Sequence, residues 1–403
     1  MDSPRWGRLY ADTYQRVGEL ARKAKPMLCG FSACVDINIP LDAALAQLQC
    51  ATEPAALALA AELERRAAAG IGGEIVVDWP AGPAWLERHC PGEARVGGTA
   101  AQAATTLATL GAPALLALRD RSEPQLAVLS PEVLLATAAG LVQARRVRGS
   151  GPGKPAHYLF EYTAGRRAGR VIPPRSTRVI VRFQDDDLEW DDYFAEASAG
   201  LAAEGGTALL SGFNAAPPET LPGLLRRVAE LARRWRDSGL EVVHLEHADY
   251  PGPGKLAQVL GALGSTATSM GMSASELERM RPGPEPPPLR AVALGENVGV
   301  RRVWVHGDRW ALCASRRGEP DRDFKALLAG CLVAASRAAA GRPAPVRWPL
   351  PGAELTRLSW PASSQVRDWT VTSCVAPHLP APTATVGLGD SFLAGSLLEF
   401  GQS

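Results

Sequence analysis

Short apolar runs that end in small or charged residues alternate along the chain with longer stretches whose apolar positions recur at helical spacing. Residues 27–33 (MLCGFSA) are such a run, and Asp36 follows it. This predicts a first buried strand with a carboxylate at its C-terminal end. Residues 51–69 are rich in Ala and Leu with Glu and Arg interspersed, which predicts a helix. Gly97 and Gly98 open a stretch of small residues at helical spacing that Gly111 closes, and residues 114–118 follow as a strand. A glycine turn, a helix and a strand in that order make an α/β unit.

Residues 157–163 (HYLFEYT) and 178–183 (RVIVRF) alternate in the manner of strands across a turn-rich segment, which predicts a hairpin in a small sheet outside the main parallel one. The α/β rhythm then resumes. Strands are predicted at 208–210, 241–245 and 265–272, an amphipathic helix at 221–237, and a further helix from Ala274. Residues 281–290 (RPGPEPPPLR) predict a loop, and residues 342–382 read as Pro-rich and irregular. Residues 300–306 and 310–314 are expected to pair across the Gly307-Asp308 turn.

Of the 403 residues, 46% are hydrophobic and 21% charged, enough to bury a large core and to argue against global disorder. The 43 basic and 42 acidic residues nearly cancel, so the basic excess of a bulk nucleic-acid binder is missing. Only five of the cations are lysines (Lys23, Lys25, Lys154, Lys255 and Lys325), so a bound phosphate has to be held by arginine or backbone amides. Seven cysteines without CxxC spacing argue against a disulfide framework and a structural zinc site. The N-terminal stretch lacks a signal-peptide core, and the uncharged run 96–118 is too weakly hydrophobic to span a bilayer. The expectation is a cytoplasmic protein with small-molecule partners, without nucleic-acid or membrane partners, as a monomer or small homo-oligomer.

The most informative string is Pro382-Thr383-Ala384-Thr385-Val386-Gly387-Leu388-Gly389-Asp390-Ser391-Phe392. Its glycines let the backbone turn tightly and expose N–H groups, and a helix is predicted to begin around Asp390, aiming its positive end at the same point. An aspartate there can take a proton from a hydroxyl while the amides hold a phosphoryl group, or it can simply cap the helix. The wider string resembles the catalytic signature of the ribokinase superfamily, and its Thr-x-Thr-Val-Gly-Leu-Gly-Asp form is similar to the ADP-dependent glucokinase/phosphofructokinase branch.

Other pieces fall in the order that family requires, from about Cys29 to the end. Cys34-Val35-Asp36 resembles its sugar-binding Asn-x-Asp, with cysteine in place of asparagine. Glu74 in Gly72-Gly73-Glu74-Ile75 resembles the lid glutamate of the glucokinase members. Gly97-Gly98-Thr99-Ala100 resembles the Gly-Gly-Gln/Asn substrate loop, with threonine at the amide position. His157-Tyr158-Leu159-Phe160-Glu161 resembles a lid strand, and Arg178 the lid arginine that touches the transferred phosphate. His244-Leu245-Glu246 resembles the magnesium-linked His-x-Glu. The run from Ser269 to Leu277 resembles Ser-x-Gly-x-Asn-Glu-x-Glu-Leu with Glu276 kept and Ser273 at the asparagine position. Val305-His306 resembles a strand beside the nucleotide.

The resemblance implies a ribokinase-like three-layer α/β sandwich with a mostly parallel central sheet plus a small β-rich lid. The large domain would comprise 1–35, 97–154 and 186–403, and the lid 36–96 and 155–185. It implies an ADP-dependent, glucokinase-like sugar kinase. Asp36, Glu74, Gly97, Gly98, Thr99 and His157 would hold the sugar, and Asp390 would accept the proton of the attacking hydroxyl. The amides of Gly387, Leu388 and Gly389 with Arg178 would stabilise the transferred group. Val386, Gly387 and His306 would line the nucleotide, and Glu246 and Glu276 would organise Mg2+. Each residue also has a plainer reading. Glu276 suits an ordinary helical first turn, Arg178 a solvated hairpin, Asp36 a loop turn, and His157 a satisfied structural group. Cys34 reads as a small buried filler and Asp185-Asp186-Asp187 as a solvated loop. The competing classes are an ATP-dependent ribokinase-type sugar or nucleoside kinase, a phosphofructokinase, and a non-catalytic sugar or nucleotide sensor.

Overall fold

The computed structural model describes residues 3–184, 186–250 and 252–402. The strands are β1 Met27–Gly30, β2 Cys34–Pro40, β3 Gly73–Val76, β4 Glu93–Gly97, β5 Ala114–Leu116, β6 Leu134–Thr137, β7 Gly140–Gln143 and β8 His157–Tyr162. They continue with β9 Thr177–Arg182, β10 Thr207–Leu210, β11 Val242–Glu246, β12 Ser269–Ser273, β13 Arg302–His306, β14 Trp310–Arg316, β15 Ser363–Val366 and β16 Trp369–Val375.

Eleven of these form one sheet in the order β15-β16-β14-β13-β12-β11-β10-β1-β5-β6-β7. Its interior pairings are parallel from β6 through β1 to β13, with antiparallel strands at both edges. Such a sheet must be covered on both faces, and its strands are apolar on both. Along β1, Met27 and Cys29 enter one core, built with helices Ser3–Lys23, Thr99–Leu110, Pro320–Ala340 and Leu388–Phe400. Leu28 faces the other, under helices Asp192–Leu201, Leu221–Asp237, Pro253–Leu263 and Pro287–Val298. Trp304 and its neighbours Val303 and Val305 divide in the same way, so the architecture is the expected three-layer α/β sandwich.

The second sheet has the order β3-β9-β8-β2-β4 and is mixed: β8 and β9 form the predicted antiparallel hairpin, whereas β2 pairs β8 and β3 pairs β9 in parallel. Its alternation is polar against apolar. Ile39, Tyr158, Phe160, Tyr162, Val179 and Val181 face a third core under helices Leu41–Leu48 and Pro54–Ala69. The intervening positions, among them Asp36, Asn38, His157, Glu161, Arg178 and Arg182, therefore share the opposite face.

Several expectations are corrected. Asp36 does not end the first strand; β1 stops at Gly30 and Asp36 lies inside β2 of the second sheet. Residues 342–382 are not irregular throughout, because β15 and β16 lie there and β16 pairs β14 along its length. The segment 281–290 is loop only in its first half; a helix begins at Pro287, where proline's fixed φ and missing N–H are tolerated. The last helix begins at Leu388, earlier than Asp390. Among the described residues no helix is long and apolar enough to cross a membrane.

Candidate active site

The C-terminal ends of the parallel strands gather the polar groups of the large sheet. Glu246 ends β11, Ser273 ends β12 and His306 ends β13, at the edge where open α/β sheets bind ligands. Helix Leu388–Phe400 starts against this edge, with Gly387 as its N-cap at φ 70, a left-handed value that glycine adopts at low cost. A Cβ at Gly387 would lie 2.3 Å from the Arg337 guanidinium, so the turn rests directly on that cation. The His306 ring lies against Gly389 and 5.2 Å from the Phe392 ring.

Arg337 is buried and donates to Gln102 Oε1 at 2.7 Å and Ser391 Oγ at 3.2 Å. Burial pulls its pKa down to about 10, against the attraction of Asp390, Asp36 and Glu161. Asp390 is pushed above the ordinary carboxylate range by burial, opposed by Arg337, a hydrogen bond from Thr99 and Arg178. Asp36 is pushed up to about 6 by burial, with His157 opposing. Arg178 thus lies within electrostatic reach of Asp36, Asp390 and His306. Its Nε, like Asn38 Oδ1, is buried without a hydrogen-bond partner among the described residues, and two such atoms on one crevice face suit a polar ligand.

Glu246 is buried with His244 Nε2 2.9 Å from Oε2 and His306 Nε2 4.0 Å from Oε1. His244 also meets Ser269 Oγ at 2.8 Å and stacks on Trp304 at 4.8 Å. Burial pushes Glu246 well above its ordinary value, helped by Glu276 and Asp390, and pulls His244 down to about 3, so Glu246 meets a neutral imidazole and their contact is a hydrogen bond rather than an ion pair. Glu276 Oε2 accepts from Ser273 N at 2.6 Å and Ser273 Oγ at 2.8 Å, a capping box at the start of helix Ala274–Met280. Serine at the asparagine position thus serves the helix start.

Across the crevice, Cys34 Sγ lies 3.4 Å from both Asp36 Oδ1 and His157 Nδ1. His157 Nε2 faces Asp186 Oδ2 at 3.5 Å, and Asp186 pairs with Lys154 at 3.1 Å, so Asp186 is an anchored site residue rather than a solvated one. Asp187 is exposed, and Asp185 lies outside the described residues. Glu74 stands on the crevice face of β3, in an ion pair with Arg182. Gly97 closes β4, and a Cβ there would sit 2.1 Å from Asp36 Oδ1 and 2.6 Å from Cys34 Sγ. Gly98 N-caps helix Thr99–Leu110, which brings Thr99 to Asp390.

Residues 25–281 match the conserved region of ADP-specific phosphofructokinases and glucokinases. The chain belongs to that family. It is an ADP-dependent sugar phosphotransferase. No curated protein matches the sequence. Among solved structures, an ADP-dependent kinase in complex with fructose-6-phosphate and ADPbetaS superposes with TM-score 0.80 at 17% identity, covering 100% of this chain and 99% of that one. The last common ancestor of ADP-dependent phosphofructokinases from Methanosarcinales gives TM-score 0.76 at 18% identity, covering 100% and 99%. A hypothetical ADP-dependent phosphofructokinase from Pyrococcus horikoshii gives 0.75 at 18%, covering 94% and 98%. These likenesses show that the family fold spans the whole chain.

The crevice contains residues that pattern reading missed. Arg337 carried one signal, a lone charge inside the run Cys331 to Ala340 of otherwise small or apolar residues. Glu161 links the second sheet to the loop before the last helix, accepting from Asn38 Nδ2 at 2.8 Å and from Thr385 N and Oγ1 at 2.9 Å each. Its place on the polar face of β8 was the available signal.

His244 generates a pH prediction. Its folded pKa of about 3 lies below the unfolded value of about 6.5, so the fold favours the neutral ring. That stabilisation is complete above pH ~6.5 and is lost as pH falls towards 3. In His244→Gln the slope of unfolding free energy against pH between those limits should flatten, as measured by urea titration at several pH values.

Proposed function

We propose that the enzyme transfers the β-phosphoryl group of ADP to a hydroxyl of an unphosphorylated sugar, as a glucokinase does, with Asp390 as general base. The observation that carries this reading is the convergence of Asp390, Arg178 and the amide-bearing turn Gly387-Leu388-Gly389 on one crevice at the strand ends. Asp390 takes the hydroxyl proton as the oxygen attacks phosphorus and the bond to the leaving nucleotide oxygen breaks. A raised pKa suits that task, because a base works best when its pKa approaches the operating pH. The turn amides and Arg178 stabilise the charge on the transferred group, while Val386, Gly387 and His306 line the nucleotide.

Glu246 and Glu276 are the residues that would hold Mg2+. Their fit rests on the donor set: buried Glu246 and half-buried Glu276 lie within electrostatic reach of each other, each is pushed up in pKa by desolvation, and a hard cation that takes oxygen ligands would stabilise both in ionised form. When bound, Mg2+ neutralises charge on the nucleotide phosphates. Segments 36–96 and 155–185 act as a lid that brings Asp36, Glu74 and His157 over a sugar held from the large domain by Gly97, Gly98 and Thr99, and excludes water.

The acceptor is read from the crevice cations. Arg182 is engaged by Glu74 and the Gln184 carbonyl, Arg95 by Glu93 and the Gly341 carbonyl, and Lys154 by Asp186 and Glu189. Arg337 lies beneath the turn, bonded to Gln102 and Ser391. Among the described crevice cations that leaves Arg178 for the one phosphoryl group in transit, which argues against a second phosphate on the sugar.

A donor and acceptor screen should give turnover with ADP and glucose or a related free sugar. Preferential turnover with ATP or with fructose-6-phosphate would overturn the corresponding half of the reading. Asp390→Asn should lower kcat by roughly 10²–10⁴-fold while thermal unfolding stays cooperative. Glu74→Ala should release Arg182, raising KM for the free sugar and lowering it for a sugar phosphate, in steady-state assays of the two acceptors.

A further inference from the structure

We propose that Cys34, Asp36 and His157 form a binding site for a thiophilic divalent cation of the zinc type, separate from the carboxylates at the far wall of the crevice. Sγ, Oδ1 and Nδ1 all lie within 4.8 Å of one another, with edges of 3.4 Å (Sγ to Oδ1), 3.4 Å (Sγ to Nδ1) and 3.9 Å (Oδ1 to Nδ1). Zinc–ligand bonds of about 2.3 Å to sulfur and about 2.0–2.2 Å to nitrogen or oxygen give tetrahedral edges of about 3.5 Å to sulfur and about 3.4 Å between nitrogen and oxygen. The largest of the three edges therefore needs to close by only about 0.5 Å.

The surroundings match such a site as well. A metal-ligating histidine usually has its second ring nitrogen fixed by a carboxylate. Here Nε2 faces Asp186 Oδ2 at 3.5 Å, and Asp186 is held by Lys154 at 3.1 Å. Lys154 is itself anchored on Glu189 at 2.5 Å and the Ala33 carbonyl at 2.7 Å. Gly97 leaves the ligands uncovered, since any Cβ at that position would overlap Asp36 Oδ1 and Cys34 Sγ. A thiol, an imidazole and one carboxylate select zinc-like ions over Mg2+, whereas Glu246 and Glu276 offer oxygen alone. Binding forms a metal–sulfur bond and releases the Cys34 thiol proton to solvent, and the fourth coordination position opens into the crevice. The ion would occupy the sugar subsite, a consequence that rests on the function proposed above.

Co2+ is the probe, because a thiolate-bound tetrahedral ion gives sulfur-to-metal charge-transfer absorption. Titrating the full chain with Co2+ in excess Mg2+ should develop that band at one equivalent, with Zn2+ bleaching it. Cys34→Ser should abolish the band. Asp186→Asn should keep it but weaken Co2+ binding roughly 10- to 100-fold, the usual effect of losing an outer carboxylate. No band at one equivalent, or an undiminished band in Cys34→Ser arising from another of the seven cysteines, overturns the site. In kinetics, Zn2+ should raise the apparent KM for sugar in the wild type but not in Cys34→Ser. A band with sugar KM unmoved supports the metal site and refutes the assignment of these residues to the sugar.

Discussion

The glycine turn at the strand ends leans on one buried cation, Arg337. Arg337 comes from the end of a long, mostly apolar helix and lies beneath the glycine turn, where Gly387 has no side chain to keep it away. A guanidinium taken out of water is costly unless its donors and its charge are met. Gln102 and Ser391 each accept from a terminal guanidinium nitrogen while Nε is left without a partner among the described residues, and Asp390, Asp36 and Glu161 supply the compensating field. The same arrangement fixes the last helix to helix Thr99–Leu110, so the turn amides, Asp390 and Thr99 hold one geometry. The arginine thus acts as a foundation for the turn rather than as another group on its surface.

The charges of the crevice follow from its burial. Four carboxylates, Asp36, Glu246, Glu276 and Asp390, are all pushed upward with desolvation as the leading cause, while His244 and His306 are pulled down to about 3 and about 4. A dry crevice favours neutral forms of both kinds, and it strengthens whatever charge interactions a substrate brings with it. The polar face of the second sheet opposite is held side to side by the Glu74–Arg182 ion pair and the contact of His157 with Asp186.

How far this was legible in the chain depended on whether the signal was local. The turn 387–390 and the helix after it are specified by adjacent residues, and Glu246 sits at the end of a mostly apolar strand; both could be read. The hairpin of β8 and β9 declared itself by alternation. By contrast, β16 lies in a Pro-rich region and alternates Val with Thr and Ser, because its neighbours β14 and β15 decide its burial. The helix start at Pro287 was hidden because proline marks both loops and first helical turns. Asp36 was displaced from its predicted strand by a break of three residues between β1 and β2. Arg337 and Asp186 owe their importance to partners that are distant in sequence, Gln102, Lys154 and His157, and no spacing rule brings those together.

Glu161 has a consequence that reaches past its hydrogen bonds. One carboxylate oxygen holds Asn38 of the second sheet and the other holds Thr385, two residues before the glycine turn. The two halves of the crevice therefore share a joint, and ordering one half lowers the entropy that the other must still lose. Linkage then requires reciprocity: whatever factor an occupant of the second-sheet face adds to the affinity of the turn for its own ligand, that ligand returns equally. If the two substrates sit where proposed, each would report on the other through the Glu161 carboxylate.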